Sequence, residues 1–337
     1  MLKMEGEGML GTIKNAIRRD LLLVAICFSV LCAVQVWGQS PNLVRSRSSL
    51  RSEDGLQRLL FAFPAGRLVV NLPDDIRPGD TISGTVSREP EGTDNAEREK
   101  NLGILNGMVI DLGGEQKFQA DRPRFTWLPK MPPSVTQQQY ILRIVAIYSG
   151  TEQIAAVNVP LNLSTLPGPT AFTLPTLGQT GRNLSIPGLF DGDIGTTKCA
   201  IGGADCEILA ESPRKIVFST PTTVVGQKTI SVSDGKVGSS GNFRNIGIDL
   251  TAPKTSLLKG EKTTRTVRVV GLEDIKEPVP VRLVTTGAVT VDGGNDQTIS
   301  IAPGQVRSDG SFSLTRQLTG TAAGAFNVTA TLLGPPG

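Results

Sequence analysis

The sequence predicts an all-β protein, a series of two-sheet sandwiches that follows one N-terminal apolar helix. Three observations carry this expectation. The chain has 337 residues, too many for one sandwich of about 100 residues and suited to two or three. Its 38 Gly and 22 Pro supply enough turn-formers to cut it into many short segments. Between those breaks apolar residues recur with a period of two, as at Val279/Val281/Leu283 and Ile299/Ile301, the mark of a half-buried strand.

The composition also narrows the function. Histidine is absent, which removes the commonest general base, the commonest zinc ligand and every His-containing triad. A net charge of +3 without clustered Lys and Arg does not make a nucleic-acid surface. No Gly-x-Ser-x-Gly elbow and no phosphate loop occur, and no pair of acids is set apart for glycoside hydrolysis. The expectation is therefore no enzyme, no cofactor and no nucleic-acid partner. A carboxylate hydrolase would require two acids converging in a deep cleft.

Residues 1–38 read as an export segment. Arg18 and Arg19 precede the apolar run 21–36, and Val36-Trp37-Gly38 ends in a small residue before Gln39. A basic n-region, an apolar h-region and a small-residue cleavage site make a signal peptide. The alternative is an uncleaved anchor, for which the run is short and interrupted by Gln35. Both readings export the rest of the chain, with membrane contact only through this segment if it is retained.

Residues 39–62 are polar, with serines among Arg45, Arg47 and Arg51, and are expected to be a solvated linker. The first sandwich is expected over 63–166. Strands are expected at 67–72, at 108–112 and 115–118 around Gly113-Gly114, and at 140–148 and 154–159 around Ser149-Gly150. The charged stretch 88–101 reads as an exposed loop. Trp127, in Phe-Thr-Trp-Leu-Pro, is the one tryptophan outside the export segment. Packing is its preferred role, and stacking on a ligand is the alternative.

Leu166-Pro167-Gly168-Pro169 marks a boundary, and a second sandwich is expected over 167–250. Counting outwards from Gly202-Gly203 opposes Ile201 with Ala204, Cys199 with Cys206 and Thr197 with Ile208, all on one face of a two-residue hairpin. In an exported chain, Cys199 and Cys206 are expected to form a disulfide. They fall at a hydrogen-bonded pair, the wider of the two antiparallel positions. Asp191, Asp193, Asp292 and Asp296 are weak calcium candidates. Turn chemistry is the preferred explanation for all four, and no metal is expected.

The order Gly178, Phe190-Asp-Gly192, strand, Gly202-Gly203, strand, Ser212-Pro213, strand and Pro221 resembles the IPT/TIG family of immunoglobulin-like domains. Plexins, some transcription factors and many bacterial surface proteins share such domains. The resemblance covers residues 167–250 and implies an immunoglobulin-like sandwich used as a spacer or binding module. Pro187, within the usual strand, and the two hairpin cysteines depart from the family pattern. Residues 251–337, opening at Thr251-Ala252-Pro253, resemble bacterial immunoglobulin-like repeats through their clean alternation.

The expected function is that of a bacterial exported or cell-surface structural or adhesive protein built from immunoglobulin-like modules. The alternative is an accessory carbohydrate- or protein-binding subunit of an envelope complex. Its partner would be a protein or polysaccharide that the sequence does not name.

Overall fold

A computed structural model describes residues 47–63, 66–90, 96, 97, 100, 105–111, 115–119, 124–127, 139–148, 151–163, 167–251 and 254–333. The expected export segment 1–38 lies outside the described residues, as does the start of the expected linker. No helix among the described residues is long and apolar enough to cross a membrane.

The first sandwich begins earlier than its sequence suggests. β1 (Arg47–Glu53) and β2 (Leu56–Phe63) form a hairpin in which Arg47 pairs Ala62 and Glu53 pairs Leu56. The expected linker 39–62 is therefore corrected from Arg47 onward. Asp54-Gly55 makes the turn, with φ of 51° and 81°, the left-handed pair that a two-residue hairpin requires. The physical reason for strand formation lies in β2, where Leu56, Leu59, Phe61 and Phe63 are buried.

β3 (Gly66–Pro73), β4 (Ser83–Pro90) and β7 (Arg124–Trp127) extend this sheet. Because β4 runs to Pro90, the charged loop expected from Arg88 starts later. The opposing sheet has the order β6-β5-β8-β9, built from β5 (Leu105–Asp111), β6 (Glu115–Gln119), β8 (Gln139–Tyr148) and β9 (Thr151–Pro160). Leu142, Ile144 and Ala146 point inward from β8 onto Phe61, Leu68, Val70 and Leu72. Their period of two supplies one apolar face per strand, and two such faces close the core.

The second sandwich sets β11 (Asn183–Pro187), β15 (Lys215–Ser219) and β14 (Glu207–Ser212) against β13 (Ala204–Asp205), β12 (Lys198–Ile201), β16 (Gly226–Ser233) and β17 (Gly238–Thr251). β10 (Leu177–Gln179) adds to β17 in parallel. Ile186, Ile216, Phe218, Ile230, Val232 and Phe243 fill the core. Pro187 is tolerated because it ends β11, the edge strand of its sheet.

The third sandwich pairs β19 (Lys262–Val270), β23 (Phe312–Gly320) and β21 (Val289–Val291) with the end of β17. Its other sheet is β18 (Ser256–Leu257), β24 (Gly324–Leu332), β20 (Val279–Gly287) and β22 (Asp296–Ile301). Val267, Val269, Val279, Val281, Leu283, Ile299 and Ile301 share one core.

Two seams join the sandwiches. At the first, β4 pairs β14 through Gly84–Ala210 and Ser83–Glu211, so one sheet runs from the first sandwich into the second. At the second, β17 serves both neighbours: its first half, Gly238 to Asn245, pairs β16, and its last five residues pair β19.

Candidate functional site

A cluster of buried and half-buried polar groups lies at the first seam. A small apolar patch underlies it: Leu56 from the first sandwich packs with Leu209, Ala210 and Val217 from the second. Around this patch, Arg214 reaches across from the turn between β14 and β15. Its Nε donates to Asp75 Oδ2 at 3.1 Å, Nη1 to Asp80 Oδ1 at 3.1 Å and Nη2 to the Asp75 carbonyl at 2.7 Å. Nη2 also pairs with Asp80 Oδ2, and Lys215 pairs with Asp74. Burial alone would lower the Arg214 guanidinium, but hydrogen bonds and charges from Asp80 and Asp75 outweigh it and hold its pKa above the ordinary value.

Glu211 sits behind this cluster and has no such cation. It is 0 % exposed. Its Oε1 accepts the Gly192 N–H at 3.0 Å. Its Oε2 and the neighbouring Thr197 Oγ1 are both enclosed, and neither makes a hydrogen bond of good geometry. Burial pushes the Glu211 carboxyl up to about 7; the Thr197 hydroxyl and Gly192 N–H oppose this, while the charges of Asp191 and Asp193 add to it. Gly192 is fixed by its surroundings. It has φ of 84°, and a Cβ there would stand 1.9 Å from the Thr81 carbonyl oxygen. Only glycine suits that backbone and that approach. Ile194 N–H donates to Ser83 Oγ at 2.9 Å, tying the same loop to β4.

The four aspartates considered for calcium have partners within the protein. Asp191 Oδ1 accepts the Asp193 N–H at 2.9 Å, its carboxylate takes the Thr196 hydroxyl, and Asp193 Oδ1 accepts the Gly195 N–H at 2.8 Å. Asp292 Oδ1 accepts the Gln317 N–H at 3.2 Å. Asp296 is paired with Arg282 through a two-oxygen contact, which lowers its pKa. These are turn and cross-strand bonds, and the two pairs belong to different sandwiches. Among the described residues, no three His, Cys, Asp or Glu side chains converge to hold a metal ion.

Cys199 and Cys206 face one another, but the expected disulfide is not formed: both are free, buried thiols. The Cys206 N–H donates to the Cys199 carbonyl at 2.8 Å, so they occupy the hydrogen-bonded, wider position. Cys206 also falls where the chain leaves the sheet of β13 for that of β14. The Cys199 thiol is strongly raised by its hydrogen bond to Cys206 and by burial. Trp127 lies on β7 with its backbone opposite Gly84, one residue from the first seam.

A cleft of about 370 Å³ opens at the second seam, lined by Leu177, Gln227, Asn242, Arg244, Lys276 and Val279 among others. Arg244 Nη1 donates to the Gly271 carbonyl at 2.9 Å. Gln179 bridges to the third sandwich, donating to the Ala330 carbonyl at 3.3 Å and accepting the Leu332 N–H at 2.8 Å.

Sequence reasoning places Ser212-Pro213 between two strands and passes over Glu211 and Arg214 on either side of it. One local signal was available. Glu211 is the charged member of the run Ile208-Leu-Ala-Glu211, in which Leu209 and Ala210 are also buried.

No family model matches the chain. No curated protein matches it either. Among solved structures, E. coli alpha-2-macroglobulin in its native conformation aligns at 10 % identity and TM-score 0.24, over 84 % of this chain and 24 % of its own. The Plexin A4 full extracellular region aligns at 12 % and TM-score 0.24, over 84 % and 23 %. The ICAM-5 D1–D4 ectodomain fragment aligns at 12 % and TM-score 0.18, over 87 % and 92 %. This chain spans about a quarter of the macroglobulin and plexin chains. At these TM-scores, no match carries the activity of its protein over to this chain.

Proposed function

We propose that this is an exported, non-catalytic structural protein of the bacterial envelope, in which immunoglobulin-like sandwiches form a stiff spacer that presents surface loops. The observation that carries the reading is backbone pairing across both seams: β4 with β14, and β17 with β16 and then β19. Flexible tethering would leave such seams unpaired. Export rests on residues 1–38, and assignment of 167–250 to the IPT/TIG family rests on the glycine and proline order quoted above. After export, an oxidising compartment supplies the two-electron acceptor needed to close Cys199 and Cys206 into a disulfide.

The test is isolation of the protein from its native envelope, with N-terminal sequencing and non-reducing peptide mass spectrometry. A start at Gln39, or membrane retention of residues 21–36, together with a peptide linking Cys199 to Cys206, is the expected result. A cytoplasmic protein with an intact N-terminus and free thiols would overturn export. The 370 Å³ cleft favours a second reading, an accessory subunit that binds a protein or polysaccharide. Saturable binding to the purified protein, lost on Arg244→Ala, would support it over the spacer.

A further inference from the structure

We propose that Glu211 is a pH-responsive clasp between the first and second sandwiches, holding β14 to β4 when protonated and loosening that pairing when ionised. The geometry places its backbone in the seam itself, paired with Ser83 of β4 on one side and Ile216 of β15 on the other. Its carboxyl is wholly enclosed, with Gly192 N–H on Oε1 and an unpartnered Oε2 beside an unpartnered Thr197 hydroxyl. Thr197 Oγ1 can donate to the ionised carboxylate or accept from the protonated one, so what the proton on Oε2 removes is a charge enclosed without a cation. An enclosed polar group is costlier to leave unpaired when it is charged, so the protonated form suits the closed seam.

Charged groups on the surrounding elements do not rescue the ionised form. The loop before β12 contributes Asp191 and Asp193, both negative, and the adjoining part of β4 contributes the neutral Ser83. The cations on the β14–β15 hairpin are engaged elsewhere, Arg214 by Asp75 and Asp80, Lys215 by Asp74. On β12, Lys198 is exposed to solvent.

The direction of the effect follows from linkage. Below the ordinary value of 4.5, Glu211 is protonated whether the seam is open or closed. Between 4.5 and about 7 it ionises in the open seam while the closed seam keeps its proton, so closure weakens as pH rises. Above that window both states are ionised and closure stays at its weakest. The proton released goes to solvent. The span corresponds to a change on the order of 100-fold in the opening equilibrium.

Hydrogen–deuterium exchange of the whole protein at pH 5.5 and pH 8.5, corrected for intrinsic exchange rates, tests this. The seam peptides carrying Ser83, Gly84, Ala210 and Glu211 should lose protection by roughly 30-fold between the two pH values, while β19 and β23 of the third sandwich do not. Glu211→Gln, which keeps an acceptor for Gly192 and adds a donor for Thr197, should abolish the change. Equal loss in wild type and Glu211→Gln, or constant seam protection in wild type, would overturn the proposal. If Glu211→Gln does not fold, Asp191→Asn decides. Removing one negative neighbour should lower the closed-seam carboxyl, so that the loss of protection ends at lower pH, and no movement would sink the idea.

Discussion

Arg214 binds two aspartates and a backbone carbonyl of another sandwich from a position only 13 % exposed. Its energetics differ from those of a surface ion pair, because removing it would leave Asp75 and Asp80 enclosed without their cation. Breaking a buried pair in this way costs about 3–5 kcal/mol. Arg214→Ala should therefore lower the stability of the first two sandwiches by that amount in denaturant unfolding. A loss below about 1 kcal/mol, the surface range, would show the cluster to be solvated. Little of this was legible in advance. Arg214 and Asp75 are 139 positions apart, and each taken alone looks like an ordinary turn residue. The Asp54-Gly55 turn was legible in principle, since Asp-Gly is a hairpin signal. The surrounding serines and arginines obscured it.

At the scale of elements, β17 matters most. Its 14 residues extend about 3.4 Å each, long enough to leave one sandwich and enter the next. Ile246 lies near the crossing, is 0 % exposed and packs in the core of the third sandwich, while its carbonyl accepts the Thr180 N–H at 2.9 Å from the second. Ile246→Ala should cost about 2–5 kcal/mol. Because both sandwiches lean on this strand, calorimetry should show their transitions moving down together. A shift confined to one of two resolved transitions would argue against coupling through β17. Hairpins were the elements most legible in sequence: Asp111 pairs Glu115, Tyr148 pairs Thr151 and Ile201 pairs Ala204, each around a turn that its glycine announced. The switch of the chain between sheets at Cys206 was not announced, because it depends on what β14 meets across the seam.

For the whole molecule, the spacer reading requires the two paired seams to stiffen the string of sandwiches. Spin labels at the exposed positions Arg58, Lys236 and Lys259, each introduced as a cysteine, should give single narrow distance distributions. Arg214→Ala should broaden the Arg58–Lys236 distribution and leave Lys236–Lys259 unchanged. Broad distributions in the unaltered protein would reject the spacer reading, since they would mean that the sandwiches reorient freely.

The sequence by itself determined the all-β class and most strand faces, because alternation and turn chemistry are local and act wherever the chain folds. Val267/Val269 and Ile299/Ile301 point inward for that reason. Only the tertiary structure decided the seams, the conversion of residues 47–62 from linker to hairpin, and the setting of Glu211. Those depend on which distant backbone edge lies alongside and on which charges are left without water. Desolvation and strand pairing are properties of assembled neighbours, and no window of sequence contains them.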